Sequence, residues 1–475
     1  MLEIQGKIHD RYTLEFKVGY SRHSPAAVVS DFLMDTWIFI PNALYINAKT
    51  YPKSDFYRDF RALVRLITPV YSLEELADAK ALPQTRMRQC CSAFAAEPTA
   101  ENERACEHQV KMFGSITRSA LRVACDRLCA IAEPEPFRAD LERLVAFIRQ
   151  IMEAYRNMPA RAGLREPPNC FAKGEEFLCR AIDTRLFRLM SYARLNFSDR
   201  YPDVAASAAD YIDRDTERQR QRGFILPKAG DKEHNKAFIH NASLLKKYIE
   251  SDLYIIAIKK NNTFILQQIF FMLAAGLSMV FATVISFSFQ QTYGNFTMPL
   301  FIALVVSYMF KDRFKDLMHS WFANKLGSKF YDYKIKLALR GAPVGWGKEG
   351  SDFVNEDKLP VPVRVRRGIS QDKETVIVYR RRISIYSKKL KRLSHYPLYG
   401  LNDIIRVNLR DFLRRMDSPH ATVFLNNGNG NFQTETAERA YYLHFIMRYR
   451  YQGIVGYKRF RLCLTRQGAK TLTEL

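Results

Sequence analysis

Phe264–Phe289 reads FILQQIFFMLAAGLSMVFATVISFSF, and it runs through Gln290–Asn295 (QQTYGN) into Phe296–Phe310 (FTMPLFIALVVSYMF). From 261 to 310 there is no Asp, Glu, Lys or Arg, fifty consecutive positions. Twenty-six apolar-leaning residues suffice to cross ~30 Å of hydrocarbon with some tilt. Gly294 sits in the short polar turn, and Pro299 falls in the first turn of the second stretch, where its missing N–H costs least. The second stretch is shorter. Its helical pattern continues through Phe314, Met318 and Trp321, while Lys311, Arg313 and Lys315 can snorkel to the interface. This reading predicts a membrane protein with a two-helix transmembrane hairpin, spans 264–289 and 296–310. The competing reading is a buried helical hairpin in a water-soluble core.

Flanking charge orients the hairpin. Lys246, Lys247, Lys259 and Lys260 precede it, Lys311, Arg313, Lys315, Lys325 and Lys329 follow it, and its turn is uncharged. Excess basic residues favour the cytoplasmic side, so both flanks and both termini are expected in the cytoplasm. Small residues recur every fourth position in the first span, at Ala274, Ser278, Ala282 and Ser286, and the second offers Ala303 and Ser307. Such faces let helix backbones approach closely. They can pack the hairpin on itself or bring copies together as a homo-oligomer. No ionisable residue lies within the spans, which argues against proton coupling or voltage sensing.

Outside this stretch the 475-residue chain has an ordinary globular mix, 47% apolar and 26% charged. Its net charge is +24, of which +18 lies from Lys311 onward. A basic module prefers polyanions such as phospholipid headgroups or nucleic acid. The eight cysteines show no zinc-knuckle spacing, and Cys125 with Cys129 reads as a pair of core residues on a helix. Met1–Arg11 carries Glu3, Lys7, Asp10 and Arg11 and has no apolar core, so no secretory signal is expected there. These features suit a bacterial inner membrane.

Residues 1–230 read as a cytoplasmic helical or α+β domain. Leu14, Phe16, Val18 and Tyr20 alternate with polar positions as in a half-buried strand. Phe32–Ile46 is a second apolar run, broken at Pro41. From Ser54 the pattern turns helical through Phe56, Phe60, Leu63, Val64 and Ile67 until Pro69. Helical periodicity follows over Asn102–Ile131, Pro136–Tyr155 and Gly174–Leu195. Asp183 with Arg180 and Arg185 reads as a solvated helix face. His108 near Cys106 finds no further ligand at metal spacing. There is no glycine-rich phosphate loop, HExxH or nucleophile elbow, so no catalytic, cofactor or metal residues are assigned. Residues 231–262 read as a connector and a membrane-proximal helix over Phe238–Ile258, and 311–340 as a second membrane-proximal helix.

Residues 341–475 read as a basic, β-rich cytoplasmic domain. Val376, Val378, Ile383 and Ile385 flank Arg380, Arg381 and Arg382. Ile404–Met416 reads as a short helix. Asn426–Gly430 is a strong turn signal after Val423–Leu425. Leu443, Phe445, Met447, Tyr449 and Tyr451 alternate with residues that include Arg448 and Arg450. Phe460, Leu462 and Leu464 alternate with Arg459 and Arg461. Arg380, Arg381, Arg382, Arg448, Arg450, Arg459 and Arg461 thus form an expected anionic-ligand surface. Interleaved tyrosine and arginine could contact anionic lipid headgroups, a protein partner or nucleic acid. Proximity to the bilayer favours lipid or protein over nucleic acid.

The reading is a membrane-anchored scaffold or sensor presenting two cytoplasmic domains on one face of the membrane. The alternatives are an anchored enzyme with a site between those domains, an oligomeric pore gated by them, and a membrane tether for nucleic acid. No cofactor is implied.

Overall fold

The computed structural model describes residues 2–21, 29–164, 168–261, 263–294, 297–326, 331–368, 373–428, 430–451 and 453–475. Strands from both ends of the chain enter a single sheet. They are β1 (Leu2–Asp10), β2 (Thr13–Ser21), β3 (Val29–Pro41), β4 (Phe60–Leu66), β5 (Tyr254–Asn261), β6 (Tyr333–Leu339), β7 (Ala342–Val354), β8 (Glu374–Tyr386) and β9 (Gly400–Asn408). After β10 (His420–Gly428) and β11 (Asn431–Glu438), which pair only with each other, come β12 (Tyr441–Tyr451), β13 (Ile454–Thr465) and β14 (Gly468–Glu474). The twelve-stranded order is β1-β2-β9-β4-β5-β6-β7-β8-β3-β12-β13-β14.

This sheet curls until its edges approach. The Lys458 amine on β13 donates to the Ile4 carbonyl on β1 at 3.1 Å, and the Ala469 N–H donates to the Arg11 carbonyl at 2.9 Å. A Cβ at Gly6 would stand 2.9 Å from Leu472, so the edge strands meet where a side chain is missing. Phe16 on β2 packs against Phe445 and Phe460 with ring centroids 5.1 and 5.3 Å apart, and Tyr20 packs on Phe32 at 4.2 Å. The result is a nearly closed, barrel-like sheet with an aromatic interior.

Two compact units divide the chain. One comprises 1–64, 256–395 and 400–475, and the other 65–255 with 396–399. The expected separation into an N-terminal helical domain and a C-terminal β-rich domain is therefore corrected: β1–β4 belong with β5–β9 and β12–β14. Alternation identifies a strand and its buried face, but pairing is set by partners hundreds of residues away. Helix α1 (Lys53–Asp59) gives way directly to β4, where Phe60, Ala62, Val64 and Leu66 are buried in alternation. The helical reading of that segment ran two elements together. Likewise, Phe238–Ile258 splits into helix and β5, and the start of Ile404–Met416 is β9.

The second unit is helical, with α2 (Leu73–Ala77), α3 (Leu82–Ala96), α4 (Ala100–Leu128), α5 (Pro134–Arg161), α6 (Asn169–Asn196), α7 (Tyr201–Gln221) and α8 (Lys232–Glu250). The Ser72 hydroxyl accepts from the Glu75 N–H and Glu75 accepts from the Ser72 N–H, a reciprocal cap that starts α2. At Gly174 a Cβ would lie 2.2 Å from the Tyr155 hydroxyl and 2.6 Å from Val110, so the helices cross there at backbone distance. Arg156 donates to Glu175 and Asp215, both at 2.7 Å, and Gln219 donates to Asp215 and Asp183. Asp183 therefore faces this polar network rather than solvent.

The uncharged stretch forms α9 (Thr263–Tyr293) and α10 (Met298–Leu326), inserted between the paired strands β5 and β6. Here the expected two-helix transmembrane hairpin is corrected. Among the described residues, one helix is long and apolar enough to cross a membrane, Phe271–Tyr293 within α9. The uncharged part of α10, Met298–Phe310, measures about 20 Å at 1.5 Å per residue, against ~30 Å of hydrocarbon. Lys311, Asp312, Arg313, Lys315 and Asp316 follow on the same helix. Asn295 and Phe296 of the expected turn and second span, and Lys329 beyond, lie outside the described residues. Short helices α11 (Val361–Arg367), α12 (Ser387–Leu393) and α13 (Arg410–Arg414) complete the sheet unit.

Candidate functional site

Strand register sorts the seven arginines. Across β8, β3, β12 and β13, Arg380 aligns with Asp35 and Asp35 with Arg448. Arg382 aligns with Leu33, and Leu33 with Arg450. Arg459 stands opposite Ile446 and Arg461 opposite His444. Six of the seven therefore share one face of the sheet, because directly opposed residues point the same way. Arg381 occupies the other face and is 2% exposed.

That burial corrects the place of Arg381 in an anionic-ligand surface. Its Nε donates to Asp403 Oδ2 at 2.6 Å, its Nη1 donates to Glu349 Oε2 at 2.9 Å, and the Tyr379 hydroxyl donates to Glu349 Oε2 at 3.0 Å. Lys259 pairs with the remaining Glu349 oxygen. Burial opposes the charge on Arg381, but Asp403, Tyr379 and Glu349 outweigh it and raise its pKa. Burial also pushes the Asp403 carboxyl above its ordinary range, against the pull of Arg381. Because β9 and β8 are separated by several strands, Arg381 ties facing walls of the sheet together. Buried ions persist only when paired, which accounts for the two carboxylates.

The other face is a lattice of guanidinium on aromatic rings. Arg448 lies 5.5 Å over Trp37 and donates to Asp35 at 3.0 Å. Arg382 lies 5.5 Å over Trp346, Arg380 5.8 Å over Tyr331 and Arg461 5.5 Å over Tyr442. Helix α11 covers part of this face through Val363, which packs with Trp37, Phe39, Val376, Val378 and Ile446. It brings Arg366 to 4.1 Å over Tyr457, and Arg367 onto both oxygens of Glu374 at 2.8 and 2.5 Å.

Among these cations His444 is buried, and its Nδ1 has no hydrogen-bond partner. The Nε of Arg459 is also buried without one. Burial, then Arg367, Arg459 and Arg461, pull the His444 pKa down to about 4. Burial, then Arg367 and Arg461, lower that of Arg459. Two unmatched polar nitrogens and a depressed histidine in one cationic spot are what an anion would relieve.

Register also locates this spot. One ladder row reads Asn261, Tyr333, Glu349, Arg381, Met34, Tyr449 and Gly456. Asn261 and Tyr333 are the residues where the chain leaves for α9 and returns from α10. Beyond the row on that side lie Arg380, Arg448, His444, Arg459, Arg461 and α11. Arg382 and Arg450 lie one residue behind it.

The helix pair is apolar outward. Met272, Leu277, Val280, Val284 and Phe287 on α9, and Phe301, Ile302, Tyr308 and Met309 on α10, are exposed, Phe287 by 66%. Its inner side is small: Ala274 is 0% and Ser278 1% exposed, with Ala303 and Ser307 also buried. The Ser307 hydroxyl donates to the Ala282 carbonyl at 3.4 Å, and Ser286 donates to the same carbonyl at 2.9 Å. Four of the six small residues are therefore buried, and the bond from Ser307 to Ala282 joins α10 to α9.

No protein-family model, curated protein or solved structure matches this chain.

Proposed function

We propose that the chain is a scaffold anchored at a lipid surface, with its folded units on the aqueous side. The apolar part of α9 and α10 enters the hydrocarbon, and the arginine face at that end of the sheet meets anionic headgroups. The observation that carries this reading is the outward ring of large apolar side chains on α9 and on Met298–Phe310. Exposed apolar patches beyond a few hundred Å² mark interaction surfaces. These residues spread over a broad arc of each helix and include no charge, which suits acyl chains better than the single stripe a protein partner would match.

The pairing of Asn261 with Tyr333 supports a chain that leaves and re-enters the sheet at one end. The insertion is then a re-entrant apolar wedge, with α9 deeper than the short apolar part of α10. Lys260 at its entry, and Lys311, Arg313 and Lys315 at its exit, lie where headgroup phosphates would be. The cationic spot at His444, Arg459 and Arg461 extends that basic rim.

Flotation of the full chain with vesicles tests both halves. The chain is expected to float with neutral vesicles, and more completely as anionic lipid is added. Phe287→Asp with Phe301→Asp should abolish flotation on neutral vesicles. Arg459→Gln with Arg461→Gln should remove only the anionic increment. Anionic vesicles should also return the His444 pKa from about 4 toward its ordinary 6.5, followed by histidine NMR. A chain that stays dispersed without detergent or lipid would sink the anchor. RNA that displaces the anionic vesicles would turn the basic face into a nucleic-acid surface.

A further inference from the structure

The helical unit holds a group of side chains unconnected with the lipid-facing surfaces. Cys90 and Cys91 are consecutive residues on α3, and Cys106 is on α4. Their three Sγ atoms lie within 4.8 Å of one another. Among the described residues this is the one cluster of three cysteine, histidine or carboxylate side chains close enough to share an ion. All three cysteines are free thiols; Cys91 and Cys106 are fully buried and Cys90 is half-buried. Sequence spacing hides the group, since residues 90, 91 and 106 match no ligand motif and the third thiol is contributed by a neighbouring helix.

We propose that Cys90, Cys91 and Cys106 form a binding site for a single Cu(I) ion. Three thiolates with no imidazole or carboxylate in the set are soft donors, which select thiophilic ions and reject Mg²⁺ or Ca²⁺. A metal about 2.3 Å from each of three sulphurs in a plane places those sulphurs about 4 Å apart, within the spacing observed. The group supplies three donors, whereas a structural zinc site takes four. The thiols now turn to carbonyls, Cys90 to that of Met87 at 3.0 Å and Cys106 to that of Cys90 at 3.1 Å. Both are weak contacts that a metal bond exceeds. Binding releases the thiol protons, so affinity rises with pH.

The test uses the reduced full chain under anaerobic conditions, titrated with Cu(I) against a chromophoric Cu(I) chelator and, separately, with Zn(II) against a zinc chelator. One equivalent of Cu(I) per chain should be withheld from the chelator, with sulphur-to-copper absorption in the ultraviolet and three sulphur neighbours by X-ray absorption. Cys106→Ser should weaken retention at least a hundredfold. Cys90→Ser, a near-isosteric change, should weaken it as well. Cys463→Ser, on β13, should leave it unchanged. Retention undiminished by Cys90→Ser and Cys106→Ser, no retention at all, or zinc held while copper is not, would each overturn the assignment.

Discussion

Helices α4 and α9 have similar lengths and opposite insides. In α4 the large residues Val110, Phe113, Ile116 and Leu121 are buried, and charges such as Glu101 and Arg122 face out. In α9 small residues, Ala274 and Ser278, are buried, and the large ones, from Met272 to Phe287, face out. Water draws large apolar groups inward in the first case. In the second, with lipid as the proposed surroundings, outward Phe and Val lose nothing, and close backbone approach through small residues holds the helices together. Apolar content alone does not separate the two cases; the position of the small residues does.

The contrast is sharpest at two phenylalanines. Phe113 is fully buried and packs on Tyr155 with centroids 5.7 Å apart. Phe113→Ala should destabilise the helical unit by about 3–5 kcal/mol, read from urea unfolding followed by circular dichroism. Next in size is Ser278→Leu, which forces a large side chain into the contact holding Ala303 and Ser307. Overpacking should cost about 1–3 kcal/mol, seen as faster hydrogen exchange along α9 and α10 in lipid. An unchanged exchange rate would mean that small size does not hold the pair.

A smaller effect of opposite sign is expected at Asp183. Burial, despite the hydrogen bond from Gln219 and with help from Asp215, raises its pKa to about 6. The folded state therefore binds this proton more tightly than the unfolded chain does. The stability it contributes is complete below the ordinary 3.8 and is lost as pH rises through 6. Asp183→Asn should stabilise the helical unit at pH 7.5 by about 1–2 kcal/mol and flatten its dependence between pH 4.5 and 7.5. Parallel pH curves for the two proteins would show that Asp183 does not titrate in this window. Smallest is Phe287→Ala, expected to change folding stability by less than about 0.5 kcal/mol while weakening vesicle retention. A loss as large as that of Phe113→Ala would erase the difference between the two helices.

Local periodicity was legible wherever one element persisted for several turns. The patterns over Asn102–Ile131, Pro136–Tyr155 and Gly174–Leu195 coincide with most of α4, α5 and α6, and the alternations near the C-terminus fall on β12 and β13. Short elements carry mixed local signals. Phe56 and Phe60 share a helical spacing, yet the chain turns to strand between them. Ile404 and Ile405 sit in a strand whose partner, β2, begins almost four hundred residues earlier. Arg381 and Arg382 are neighbours in sequence, but one tethers facing walls of the sheet and the other lies over Trp346. Period two says they face opposite ways; only the curvature of the sheet says which way is in.

By itself the sequence determined the uncharged stretch, the basic excess after Lys311 and the long helices, because each depends on residues within a few turns of one another. The tertiary structure alone decided that β1–β4 complete a sheet with β5–β9 and β12–β14, that Arg381 is interior, and that Cys90, Cys91 and Cys106 meet. Those outcomes rest on pairing and packing between distant segments, whose free energy is shared among many contacts and is written in no local pattern.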